Sequence, residues 1–297
     1  MMKKNDVNER QNEAFSIDML SAQRHYYSMA KWVVYAAAFF CVIVVATLSI
    51  LNRVYSNEIL RTTVLAYSII AFILNGILTN ERNKLQILAA RIQHLFDVRL
   101  FKLTWDNALC GTEPSVEDVE RGKQKNQGGL IGWYKDVPND LPLDAITLVC
   151  LRMNVAYDQN MKRKLNTFIY ILFFVVICLI FAVNYQRTIW EMALYTLVPI
   201  LPVVKFFFDV KKRIDSDKER LIRLDVRIST LMNNAIQGCR IESAELQNIN
   251  NLIFEHRRTS PLVPDWLYNI LRSREEKTAE YSAKHYYQEL RNVYGGE

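Results

Sequence analysis

The chain has 297 residues, 51% hydrophobic, 23% charged and 11% aromatic, with a formal net charge of +6 and a mean hydropathy close to zero. That aromatic content excludes an intrinsically disordered chain, and only 9 Gly and 7 Pro exclude a collagen-like or linker-dominated one. Five Cys, at 41, 110, 150, 178 and 239, form no close pair, so neither a disulfide framework nor a zinc signature is present.

The average hydropathy conceals four apolar blocks separated by charged segments. Residues 11–31 read as a helix, because Phe15, Met19, Ala22, Tyr26 and Met29 recur at three- and four-residue steps without Pro or Gly. From Trp32 to Leu51 no charge occurs, about the 20 residues needed to cross a 30 Å hydrocarbon layer. This block follows a polar, charged lead and has no small-residue cleavage pattern behind it, so it reads as a retained anchor rather than a signal peptide. After the short turn RVYSNEILR a second block runs from Thr62 to Thr79. The helix then continues through NKLQILAARIQHLFDVRLFKLTW, with Leu85, Leu88, Ile92 and Leu95 on one stripe.

Residues 111–142 change character, holding five of the nine Gly and three of the seven Pro. They form a loop-rich insert with a short helix at SVEDVER, where Ser115 can cap and Asp118 stands three residues on. GGLIGW lacks both the strand–GxGxxG–helix context and a GK[ST], so it is not a Walker loop. Helix resumes from Leu143 through Lys164 into the third block, Leu165 to Gln186. The fourth block, about Met192 to Phe208, contains Pro199, Pro202 and Lys205; membrane helices tolerate proline, and the lysine can extend to the interface. Beyond it lies a heptad-like stripe, Ile214, Leu221, Leu224, Ile228, Leu231 and Ala235, which Asp217 breaks. It suits an intramolecular bundle as well as a subunit contact. Pro264 and Asp265 open a last amphipathic helix that ends near Tyr294, before Gly295-Gly296.

Basic residues cluster on one side of the spans: Lys3, Lys4, Arg10, Arg24 and Lys31 before the first, Arg82, Lys84, Arg91 and Arg99 after the second. Lys162, Arg163 and Lys164 precede the third, and Lys211, Lys212 and Arg213 follow the fourth, while the turn YQRTIWE holds a single Arg. The expected arrangement is therefore a multi-pass protein of the cytoplasmic membrane with both termini cytoplasmic and two short turns outside. It is mainly α, with a four-helix transmembrane region of two hairpins and a helical cytoplasmic domain built from the N-terminal, central and C-terminal segments. The boundaries are an N-terminal helix over 1–31, hairpin one over 32–79, a cytoplasmic segment over 80–164, hairpin two over 165–208 and C-terminal helices over 209–297. The basic flanks account for the net charge, so no direct nucleic-acid partner is expected.

The four His, at 25, 94, 256 and 285, stand far apart, and no GxSxG, HExxH or Cys–His signature occurs, so neither an enzyme nor a resident cofactor or metal is expected. Polar groups inside spans are costly and often functional. Thr63, Tyr67 and Asn75 in the second span, with Glu191 and Lys205 near opposite ends of the fourth, are the pore or gating candidates; helix packing, hydrogen bonding across helices and interface anchoring are the alternatives open to them.

Taken together, QNEAFSIDMLSAQRHYYSMAKW before the first span, LFDVRLFKLTW after the second, then GWYKDV, LVCLRMNVAYDQNMKRKL and PLVPDWLYNILRSREE in that order resemble the SMODS-associating four-transmembrane effector family. That family is found beside bacterial nucleotidyltransferases in CBASS anti-phage operons. The resemblance implies an effector, a homo-oligomer in the bacterial inner membrane, switched on by a cyclic oligonucleotide from a partner nucleotidyltransferase. The activated oligomer would permeabilise the lipid bilayer and kill or arrest the infected cell. Phosphates call for Arg or Lys and bases for planar groups. The ligand candidates are Arg99, Trp105, Trp133, Tyr134, Arg152, Asn154, Tyr157, Arg257, Arg258 and Trp266, each of which also has a packing role open to it. The competing readings are a constitutive small channel or transporter and a membrane-anchored helical scaffold.

Overall fold

The structure is a computed structural model describing residues 5–55, 57–125, 128–185 and 188–294, apart from the side chains at 180, 181, 183, 184 and 195. Lys3, Lys4, Arg187, Gln186 and Gly295-Gly296 therefore lie outside the described residues. Among the described residues helix accounts for 83% and no strand occurs, which places the fold in the α class. The helices, in chain order, are α1 (Val7–Arg10), α2 (Ala14–Ala38), α3 (Val45–Tyr55), α4 (Glu58–Phe101), α5 (Asn107–Cys110), α6 (Val116–Gly122), α7 (Leu143–Asn184), α8 (Ile189–Met192), α9 (Val198–Ile236), α10 (Ser243–Thr259) and α11 (Asp265–Tyr294). Wider π-helical turns, Phe39–Val44 and Ala193–Leu197, join α2 to α3 and α8 to α9.

Local chemistry sets the ends. Asn57 opens α4, its side-chain oxygen accepting from the Ile59 N–H at 2.8 Å. The helix stops at Phe101, short of the Trp105 that the apolar stripe suggests, because Lys102 turns left-handed (φ 55°) and Leu103 N–H reaches back to Val98 C=O at 2.9 Å. Ser115 and Asp118 form the expected capping box at α6, and Thr188 with Glu191 forms another at α8. At the end of α9, Gly238 (φ 86°) supplies the left-handed residue, with Cys239 N–H bonded to Asn234 C=O at 2.9 Å. Pro202 lies inside α9 without ending it.

The chain divides into two compact units. Unit 1 comprises Met1–Ser28, Leu85–Lys162 and Ser216–Glu297; unit 2 comprises Met29–Lys84 and Arg163–Asp215. The helices α2, α4, α7 and α9 each contribute to both.

Unit 1 has a conventional apolar interior around Met19, Leu20, Phe96, Ile146, Leu224 and Ile253. The heptad positions Leu221, Leu224, Ile228 and Ala235 are buried in this interior with Leu231 packed against it, while Ile214, also buried, belongs to unit 2. The loop-rich insert is pinned by the N-terminal residues. Gln11 accepts from Tyr134 N–H at 2.9 Å and donates to Tyr134 C=O at 3.2 Å. Asn5 donates to Pro138 C=O at 2.8 Å, and Asn12 accepts from Gly132 N–H at 2.8 Å.

Unit 2 is apolar outward. Ile59 is 77% exposed and Phe174 69%, and Ile69, Ile70, Ile73 and Leu179 also face out. Its interior combines small and polar residues, Cys41, Val45, Ser68, Ala71, Asn75 and Val203, with the larger Ile200, Phe206 and Phe207. The unbroken runs Ala14–Tyr55 and Glu58–Phe101 are long and apolar enough to cross a membrane, yet only 28% and 22% of their apolar windows are buried. A core helix of a water-soluble domain would bury most of that surface, whereas a lipid-facing helix need not.

Candidate functional site

Unit 1 encloses two polar clusters. In the first, Asp97 of α4 and Arg257 of α10 form an ion pair, 1% and 8% exposed respectively. Tyr134 donates its hydroxyl to Asp97 at 3.3 Å and accepts from the Asn154 amide at 2.8 Å. The insert, α4, α7 and α10 thus meet at one charge pair. Burial lifts the Asp97 carboxyl above its ordinary value, and the Arg257 guanidinium offsets part of that lift.

In the second cluster His256 of α10 sits between two carboxylates, 2.7 Å from Asp158 of α7 and 2.9 Å from Asp217 of α9. Lys162 donates to the Ser260 hydroxyl at 2.9 Å and to Pro261 C=O, and Gln86 donates to Arg257 and Ser260 carbonyls at 2.9 and 2.7 Å. Burial alone would depress His256, but its bonds to Asp158 and Asp217 outweigh it and raise the imidazole above its usual range. Burial would likewise raise Asp158, yet the Lys162 charge and His256 pull its carboxyl far down. Asp217, the residue that breaks the heptad stripe, is therefore placed there by an imidazole partner. Among the described residues no group of three or more His, Cys, Asp or Glu is arranged to hold a metal ion.

Unit 2 holds a third cluster. The Asn75 amide of α4 donates to the Asp209 carboxylate of α9 at 3.2 Å, and Lys205 pairs with the same oxygen at 3.1 Å. Arg82, 8% exposed, borders the same small cavity and donates to the Asn83 side chain, which also accepts from Arg213 at 2.8 Å.

The family described as the SMODS-associating 4TM effector domain matches residues 5–286. The chain belongs to that family. It is also 24% identical over 285 residues to a probable CBASS effector molecule of Bacillus cereus (strain VD146), covering 91% of this chain and 94% of that protein. No solved structure matches it. Membership makes the chain a membrane protein with four transmembrane helices and an effector role in anti-phage defence. The family is one of membrane effectors rather than of known enzymes.

Within this effector, Tyr134, Asn154 and Arg257 come together in the first cluster, joined by Asp97, which the sequence did not single out. The remaining ligand candidates are dispersed. Arg152 donates to Ser229 at 2.9 Å and lies over the Tyr286 ring at 4.6 Å. Tyr157 packs near Tyr268, Arg258 lies over Phe254, and Arg99 lies over Phe15. Trp105 donates to Gly111 C=O at 2.7 Å and packs with His94, while Trp133 packs against the core. Trp266 is 46% exposed. Of the gating candidates, Asn75 and Lys205 meet at Asp209; Thr63 bonds to Ile59 C=O and Tyr67 to Phe40 C=O. Glu191 is spent on the α8 cap. Asp217 as a charged interruption of an apolar stripe was the one signal pointing to the His256 cluster; Asp97 and Asp158 gave none.

Proposed function

We propose that this effector is opened by a cyclic oligonucleotide, supplied by a partner nucleotidyltransferase, that binds unit 1. Opened, several copies together permeabilise the bacterial inner membrane and abort the infection, with both termini of each copy in the cytoplasm. The reading rests on family membership joined to one structural observation: α2, α4, α7 and α9 take part in both units as continuous helices. A ligand that tilts or rotates one of these helices in unit 1 acts on a segment that continues without a break into unit 2.

The ligand must favour the open arrangement. A shift from 1:99 to 99:1 needs about 5.5 kcal/mol of differential binding, which several ligands on one oligomer can supply jointly. Arg257 and Tyr134 are already engaged inside unit 1. First contact with the phosphates and bases falls instead to the accessible candidates: Arg99, Arg152, Arg258, Trp133 and Trp266.

The test is dye release from liposomes holding the purified protein, with cyclic di- and trinucleotides added on the side unit 1 faces. Release by one nucleotide, lost in Arg152→Ala or Trp266→Ala protein that still folds, is the expected result. Constant leakage without ligand would replace this reading with a channel. Silence with every nucleotide, after insertion is verified, would replace it with a scaffold.

A further inference from the structure

Asn75 is 2% exposed and lies among apolar neighbours on α4, yet its amide reaches across to a carboxylate on α9. Asp209 is the shared acceptor of Asn75 and Lys205, and Arg82 faces it across a cavity of about 20 Å³. A buried water needs at least about 10–15 Å³ and two to four polar partners, so one water fits there, with Asn75, Arg82 and Asp209 to hold it. The electrostatic balance is narrow: one carboxylate faces two cations in a largely apolar setting. The Asp209 and Lys205 side chains are only partly buried, 32% and 31% exposed, whereas Arg82 is buried, so removing the carboxylate leaves a buried guanidinium without the charge it faces.

We infer that Asp209, held by Asn75 and balanced by Lys205 and Arg82, is the catch that keeps the second and fourth spans closed, and that opening requires the Asn75–Asp209 contact to part and water to enter. This rests on the permeabilising function proposed above. While closed, the carboxylate offsets one of the two positive charges and, through Asn75, ties α4 to α9. When the contact parts, the Lys205–Asp209 pair stays together within α9, but Asn75 and Arg82 on α4 lose the carboxylate and must be hydrated, and an aqueous path provides that hydration.

The experiment measures dye release without nucleotide from liposomes of the full-length protein. Asp209→Asn should leak at least about tenfold faster than the parent, since it leaves Lys205 and Arg82 uncompensated. Asn75→Ala, which removes the bond but no charge, should leak by a smaller factor. Asp209→Glu, which restores the charge, should stay near the parent's rate. Helix content and elution volume, matched to the parent, exclude misfolding. If Asp209→Asn fails that check, Asn75→Ala alone decides: a rate equal to the parent's overturns the catch.

Two further outcomes overturn it. One is a folded Asp209→Asn protein as tight as the parent. The other is Asp209→Glu leaking as fast as Asp209→Asn, which would mean that any change there merely damages packing. The nucleotide panel separates this inference from the function it rests on. A parent opened by nucleotide beside a tight Asp209→Asn defeats the catch alone. A leaking Asp209→Asn beside a parent deaf to every nucleotide upholds the catch and defeats nucleotide gating.

Discussion

Unit 1 hides Phe96, Leu148, Leu224 and Ile253 and covers itself with charge, whereas unit 2 turns Ile59, Ile70, Phe174 and Phe208 outward around an interior in which Cys41, Ser68, Ala71 and Asn75 accompany Phe206 and Phe207. Both regions are helical, and four helices serve both, so secondary structure does not distinguish them. The solvent does. In water the apolar side chains drive collapse; in lipid that drive is gone, and close approach of small residues with a few polar contacts replaces it. Each unit nonetheless uses a carboxylate as a tie between helices far apart in sequence, buried in unit 1 and partly buried in unit 2.

The largest effect should follow from leaving a buried charge alone. Asp97→Ala strands Arg257 inside unit 1 and should cost about 4 kcal/mol, read as a lowered denaturation midpoint in detergent. Core truncation comes next: Leu224→Ala should cost about 3 kcal/mol, while Phe174→Ala on the outward face of unit 2 should leave the midpoint nearly unchanged. Equal losses from these two would erase the contrast between the units.

The His256 cluster should make unit 1 sensitive to pH. The folded pKa of His256 lies above its ordinary 6.5, so its contribution is whole below about pH 6.5 and fades as pH rises through the raised value. Asp158 is shifted down from 3.8, so its contribution is whole above about pH 4 and fades as pH falls toward the lowered value. Melting temperature against pH should therefore show a shallow maximum between those limits, and His256→Gln should flatten its alkaline side. The smallest effect belongs to the surface: Arg99→Ala and Trp266→Ala should change stability by no more than about 0.5 kcal/mol while weakening nucleotide binding.

The helical class, the apolar blocks and the local stops were readable beforehand because their causes are local. Ser115 and Asp118 are three residues apart, and the apolar runs are contiguous. The end of α4 was not, because a left-handed Lys102 takes a conformation its side chain gives no reason to expect. The polar clusters were hidden for another reason: His256 looks solitary when its partners stand at 158 and 217 on other helices. Asn75 was noticed as a polar group in a span, but Asp209, just beyond the fourth block, was passed over as part of a charged flank. Proximity made by folding leaves no spacing to count.

The threefold origin of unit 1 has a consequence for the order of synthesis. Asn5, Gln11 and Asn12 leave the ribosome first, but the insert they grip, 132–141, follows only after the first hairpin has been made. Arg257 and His256, which close both clusters, follow only after the second. A ribosome supplies the chain at roughly 5–20 residues per second, so the early segment waits many seconds for its partners. Unit 1 is finished last, once both hairpins have already been delivered to the insertion machinery, and a truncated nascent chain has anchors without the clusters that tie unit 1 together.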